Sequence, residues 1–76
     1  MMPGFDNKKT IDQLETSIVL LEELAAKEQA IPRRYAILAA RDHYLFACAA
    51  LRHNQLDRAG QHLTAARTII MQEVQA

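Results

Sequence analysis

The stretch HNQLDRAGQHLTAA, His53 to Ala66, decides the fold. Asn54 tolerates the left-handed backbone that ends a helix, and a side-chain oxygen of Asn54 or Asp57 can cap the next one. Apolar and small residues then recur at helical spacing on both sides of this break, so the segment predicts a stop and restart between two helices. A lone helical hairpin of this kind does not cover its own apolar face and needs something to pack on it.

Downstream of the break the pattern predicts a helix over about 55–75. Leu56, Ala59, Leu63, Ala66, Ile70 and Val74 form one apolar stripe flanked by Ile69 and Met71, with Asp57, Arg58, Gln61, Thr64, Thr68 and Gln72 outward. Gly60 inside this helix costs about 1 kcal/mol relative to alanine, which predicts a close approach by another backbone. Upstream, a helix is predicted over about 32–53. Ile37, Tyr44, Cys48 and Leu51 make one side, and Ala36, Ala40, Ala47 and Ala50 an adjacent strip of small residues. Alanine strips let helix axes come close, so this is the expected central helix, with Tyr35, Phe46 and Ala39 left for a third surface.

Before it, Thr10-Ile11-Asp12-Gln13 has the form of a capping box and predicts a first helix over about 10–30. Ile11, Leu14, Ile18, Leu21 and Ala25 share its inner stripe, while Val19 and Leu20 lie off it. Ile31-Pro32 is expected to break the chain between the first two helices, because the residue before a proline is pushed away from the α region. Residues 1–9 contain Pro3 and Gly4 and no periodicity, and are expected to be a disordered terminus. The predicted architecture is therefore all-α: a single helical domain over 10–76, built as a three-helix antiparallel bundle, or equivalently a helical hairpin plus an N-terminal helix.

Composition agrees with that class. The chain has 76 residues, half of them hydrophobic but only 5% aromatic, which suits a core of leucine, isoleucine and alanine between helices. A chain this short buries only roughly 60% of the surface its unfolded form exposes. Cys48 has no cysteine to pair with, no run approaches the roughly 18 apolar residues of a membrane span, and the first nine residues lack a signal-peptide core; a reduced, cytoplasmic setting is expected. The formal net charge is zero but unevenly placed. Residues 1–31 carry three lysines against six acids, and residues 32–76 carry six arginines against three acids, so the two halves can attract each other within one chain or between antiparallel copies.

With Ala47, Asn54, Ala59, Leu63 and Ala66 in place, and Leu56-Asp57 after the turn, the second and third helices resemble a tetratricopeptide-type helix pair. About half of the chain is covered. It departs from that pattern at His43, where a large apolar residue is usual, at Ala50 instead of Tyr or Leu, and at Met71, where proline closes the repeat. HLTAARTII, with Ala65, Ala66, Ile69 and Ile70, is also similar to the small helical-hairpin co-chaperones of type III secretion needle subunits. That resemblance implies a bacterial cytosolic protein that shields an aggregation-prone partner, with no catalytic residues to carry over.

Chemistry-bearing constellations are not evident. His43, Cys48 and His53 are five residues apart, so successive members turn by about 140° around one helix and do not converge on an ion; no metal or other cofactor is expected. Ser17 has no base beside it, two glycines make no phosphate-cradling loop, and three short helices offer no walls for a sizeable cleft, so no catalytic residue is assigned. The expected function is a non-enzymatic protein-protein interaction module, adaptor or chaperone-like, acting as a dimer or a subunit of a heteromeric complex. Its expected contact residues are Val19, Leu20, Leu24, Tyr35 and Phe46, with Arg34, Arg41 and Arg52 setting orientation. These arginines align within roughly 20° on the second helix. Pairing with Glu15, Glu22 or a partner's acids over stems that cover Leu38 and Leu45 is the favoured reading of them; the alternative is a phosphate-contacting ridge of a small nucleic-acid-associated regulator.

Overall fold

The computed structural model describes residues 7–74. Its elements are α1 (Asn7–Lys27), α2 (Ile31–Arg52) and α3 (Leu56–Ile69), the last continued by a π-helical turn over Ile70–Val74. The described residues form an all-α three-helix bundle with no strand. Neighbours in sequence run antiparallel: Asn7 at the start of α1 reaches Leu51 and Asn54 at the far end of α2, and Ala59 of α3 shares a cluster with Ala50 and Leu51.

The turn that decides the fold is an αL cap. Asn54 has φ 59°; its N–H donates to the Leu51 carbonyl (3.0 Å) and the Gln55 N–H to that of Ala50 (2.8 Å). These are the paired bonds of a Schellman motif, which satisfy the carbonyls that the end of α2 leaves open. The cap of α3 differs from expectation. Gln55 occupies that position without a side-chain bond, so neither Asn54 nor Asp57 caps the helix. The Asn54 side chain instead accepts from Asn7 Nδ2 at 3.3 Å, tying the start of α1 to this turn.

The first helix is already in place at Asn7, so Thr10 lies within it and is not its N-cap. Residues 7–9, expected to be disordered, are helical; residues 1–6 of that expectation, and positions 75–76 of the expected third helix, lie outside the described residues. At the other end α1 stops at Lys27, three residues early, because Glu28 organises the connection. Its carboxylate accepts from the Ala30 N–H (3.2 Å) and pairs with Arg33 Nε (2.9 Å), while its carbonyl accepts from both Nε (2.9 Å) and Nη2 (2.6 Å) of Arg34. The Arg33 contact is an ion pair of poor hydrogen-bond alignment. The extended residue is Ala30, and Ile31 and Pro32 both enter α2.

Helix α2 packs on both α1 and α3, whereas those two meet only through side chains. Of its expected inner residues Ala36, Ile37, Ala40, Ala47, Cys48, Ala50 and Leu51 are buried, while Tyr44 is only half-buried against the core. Two clusters result. One joins Leu21 and Ala25 of α1 to Ala36, Ile37 and Ala40 of α2 and to Ala66 and Val74; the other sets Ile11 and Leu14 against Ala50, Leu51 and Ala59. The π-helical turn carries the buried Val74, which joins the first cluster with Ile70 packed beside it. Leu56, predicted on the inner stripe, is exposed at the very start of α3.

Gly60 overturns another expectation, since no atom would lie within 4 Å of a Cβ built on it. No backbone approaches it. Gly60→Ala should therefore stabilise the protein by about 0.5–1 kcal/mol through helix propensity, and Asn54→Ala should destabilise it by about 1 kcal/mol at its positive φ. Urea denaturation of the two variants checks both signs, and equal midpoints would contradict this account of the two positions.

Candidate functional site: the outer face of the central helix

The face of α2 opposite the core is apolar as well. Ile31, Tyr35, Leu38, Asp42, Leu45 and Ala49 follow one another at spacings of four, three, four, three and four, which at about 100° per residue keeps them within an arc of roughly 80°. Ile31 (58%), Tyr35 (68%) and Leu45 (46%) are exposed, as is Phe46 (56%) at the edge of the arc, and Leu38 is half-buried. A 4-3 apolar repeat is the seam by which one helix packs along another. Helix α2 is thus hydrophobic on two opposite sides, a pattern expected of a helix covered all round. Among the described residues, Leu38 of this second side packs partly against the core, while Ile31, Tyr35 and Leu45 stay exposed.

Each edge of the seam is built differently. On the α1 side stand Arg34, Arg41 and Arg52, aligned as expected, and every one of them has an internal partner. Arg52 Nη2 donates to Glu15 Oε2 at 2.9 Å and Arg41 Nη1 to Glu22 Oε2 at 3.0 Å; Arg41 also pairs with the neighbouring Asp42 at 2.9 Å, and Arg34 is held by the Glu28 carbonyl. The hydrogen bond from Arg41 to Glu22, then the one to Asp42, holds the Arg41 guanidinium still more firmly in its charged form against some loss of hydration. Between the two helices a shallow cleft of about 400 Å³ is lined by Glu22, Ala25, Ala26, Arg34, Leu38 and Arg41.

On the α3 side Phe46 leans against His62, with ring centroids 5.3 Å apart. The same His62 meets His43 of α2, Nδ1 to Nδ1 at 3.0 Å. A spacing argument confined to one helix does not reveal that pair, because its members come from two.

The remaining expected contact residues do not all gather here. Val19 is exposed and lies about 40–60° around α1 from Glu15 and Glu22, on the edge beside the arginines. Leu20 and Leu24 are also exposed, but about 140–180° from those acids, on the side of α1 away from the seam. Tyr35, Phe46 and Val19 therefore share a surface that Leu20 and Leu24 do not. Ile31, Leu38, Leu45 and Ala49 are not among the expected contact residues, although their 4-3 spacing is legible in the sequence.

A second apolar feature lies at the α1–α3 side. Thr10, Leu51, Leu56, Ala59, Gly60 and Leu63 line a cavity of about 240 Å³ open to solvent. Among the described residues no cluster of three or more His, Cys, Asp or Glu side chains is placed to hold a metal ion, and no helix is long and apolar enough to cross a membrane. Compared with protein-family models, with curated proteins and with solved structures, the chain gives no match.

Cys48, 1% exposed, sits beneath the seam with its thiol pushed up from the ordinary range, by burial first and by Glu15 second, against the opposing influence of Arg52. The thiolate is what reacts. Iodoacetamide at neutral pH should therefore leave Cys48 of the folded protein unlabelled while a free cysteine standard is consumed, with modification rising only as urea unfolds the chain. Rapid labelling without denaturant would mean that the bundle is not closed over this face of α2.

Proposed function

We propose that this chain is a small non-enzymatic protein-binding module that docks an amphipathic helix, from a partner protein or from a second copy of itself, along the outer face of α2. The observation that carries this reading is the solvent-facing 4-3 stripe of Ile31, Tyr35, Leu38 and Leu45 with Phe46 beside it, on a helix whose opposite face is already the bundle core. Burying those side chains supplies affinity at about 25 cal/mol per Å² of apolar surface, less the cost of association. Tyr35 and Phe46 are the natural anchors, since large aromatics dominate interface energetics. Asp42 in mid-stripe and the arginines along one edge set register and direction more than strength.

An adaptor or chaperone-like role in the cytoplasm, shielding an aggregation-prone helix, is the form of this activity that the resemblance to secretion co-chaperones suggests, and the resemblance of α2 and α3 to a tetratricopeptide-type pair agrees with a helix-binding scaffold. The alternative, a nucleic-acid-associated regulator using Arg34, Arg41 and Arg52, has less behind it. Each of the three guanidinium groups already donates to an acceptor of the same chain, and the carboxylates beside Arg41 and Arg52 lower the field they could offer to phosphates.

The test is a pair of double variants. Wild-type protein should self-associate in sedimentation or bind a hydrophobic dye, and Tyr35→Lys with Leu45→Lys should cut that signal at least tenfold while keeping the helical circular dichroism and a stability within about 0.5 kcal/mol, as expected of exposed positions. Leu20→Lys with Leu24→Lys, on the other side of α1, should leave it unchanged. A monomer without dye signal, or equal loss in both variants, would remove the support for this face. Duplex DNA binding that falls steeply with salt and with Arg52→Ala would favour the alternative.

A further inference from the structure

We propose that His43 and His62 form an interhelical two-imidazole site for a divalent transition metal ion, copper(II) foremost. One histidine belongs to α2 and the other to α3, both are half-buried, and their Nδ1 atoms face each other at 3.0 Å with the ring planes inclined at 35°. In the hydrogen-bonded pair one ring donates its Nδ1–H and the other accepts. The same two nitrogens are a chelate once that proton leaves the line between them.

The separation is one that a chelate can span. Metal–nitrogen bonds of about 2.0–2.1 Å place two ligands about 2.9 Å apart at a right angle and about 3.3–3.4 Å apart at the tetrahedral angle. A distance of 3.0 Å is therefore close to adjacent corners of a square or octahedron, the arrangement copper(II) and nickel(II) adopt with nitrogen and oxygen donors, and copper stands highest in divalent affinity. Binding needs both Nδ1 lone pairs. The ring that carried hydrogen on Nδ1 loses it to solvent and takes one on Nε2, so both imidazoles remain neutral, no net proton is released and no redox step occurs.

The surroundings supply positioning and no further ligand. Phe46 lies against the His62 ring at 5.3 Å and restricts its rotation. Among the described residues no third His, Cys, Asp or Glu joins the pair, so water completes the coordination sphere. Because the ligands come from two helices, the ion would staple α3 to α2 and stabilise the folded form over the unfolded one.

The experiment titrates copper(II) into the full chain and follows nitrogen hyperfine structure by electron paramagnetic resonance together with the thermal midpoint. Expected are one ion per chain, a signal from two imidazole nitrogens and a rise in midpoint. His43→Ala and His62→Ala should each weaken binding at least tenfold and abolish the rise, while His53→Ala, an exposed histidine on the same helical hairpin, should stay within twofold of wild type. Circular dichroism reports whether each variant folds, and His43→Gln and His62→Gln, which keep a hydrogen-bonding group, replace any alanine variant that does not. Copper binding of equal strength in wild type and in either pair-disrupting variant, a single-nitrogen signal, or no binding at all would overturn the proposal.

Discussion

The short side chains of Ala36, Ala40, Ala47 and Ala50 set the distance at which the other helices approach α2, and the rest of the bundle follows from that distance. All four are buried, Ala40 and Ala47 completely, beside Ile37 and Cys48, so the core is narrow and made as much of backbone proximity as of side-chain volume. Small residues permit close axes, and close axes increase the dispersion contacts that each remaining leucine or isoleucine makes. A central helix of this kind can hold two neighbours on one side. The same narrowness leaves α1 and α3 joined only through side chains such as Ile11, Leu14 and Ala59.

Electrostatics then fixes direction without contributing much energy. The acid-rich first helix lies against the arginine edge of α2 in the antiparallel sense, with Glu15 on Arg52, Glu22 on Arg41 and Glu28 on Arg33. Pairs as exposed as the first two are worth about 0–1 kcal/mol each, so they choose an orientation already permitted by packing and do not hold the bundle together. Glu28 does more than pair. By bonding Ala30 and Arg34 as well as Arg33, it shapes the connection between α1 and α2 that the proline was expected to shape. The consequence for function is that the charge asymmetry of the chain is largely consumed inside it, leaving hydrophobic surface as the main resource for recognition.

Helix α2 thereby presents four distinct sides: the alanine-lined core, the arginine edge toward α1, the outer apolar seam, and the His43–Phe46 edge toward α3. The seam leaves Ile31, Tyr35 and Leu45 exposed, and it is there that a helix-binding role is proposed. The histidine edge is different in kind, because His43 and His62 already satisfy each other by one hydrogen bond. A protein whose seam is occupied by a partner would carry that histidine pair alongside the contact, next to Phe46, so packing on the seam and chemistry at the edge share one aromatic ring.

Local pattern was enough to specify three helices, the inner residues of α2 and the left-handed Asn54, because helical periodicity and the steric demands of a turn act over a few residues and are written directly in their order. It also foretold the partners Glu15 and Glu22 for the arginines, since opposite charges on adjacent amphipathic helices have few other arrangements. Position along one helix, however, says nothing about what stands across from it. The burden placed on Glu28, the empty space over Gly60, the separation of Leu20 and Leu24 from Tyr35, and the meeting of His43 with His62 were each decided by how far apart and at what rotation the helices pack. That is a property of side chains from distant parts of the chain filling one volume together.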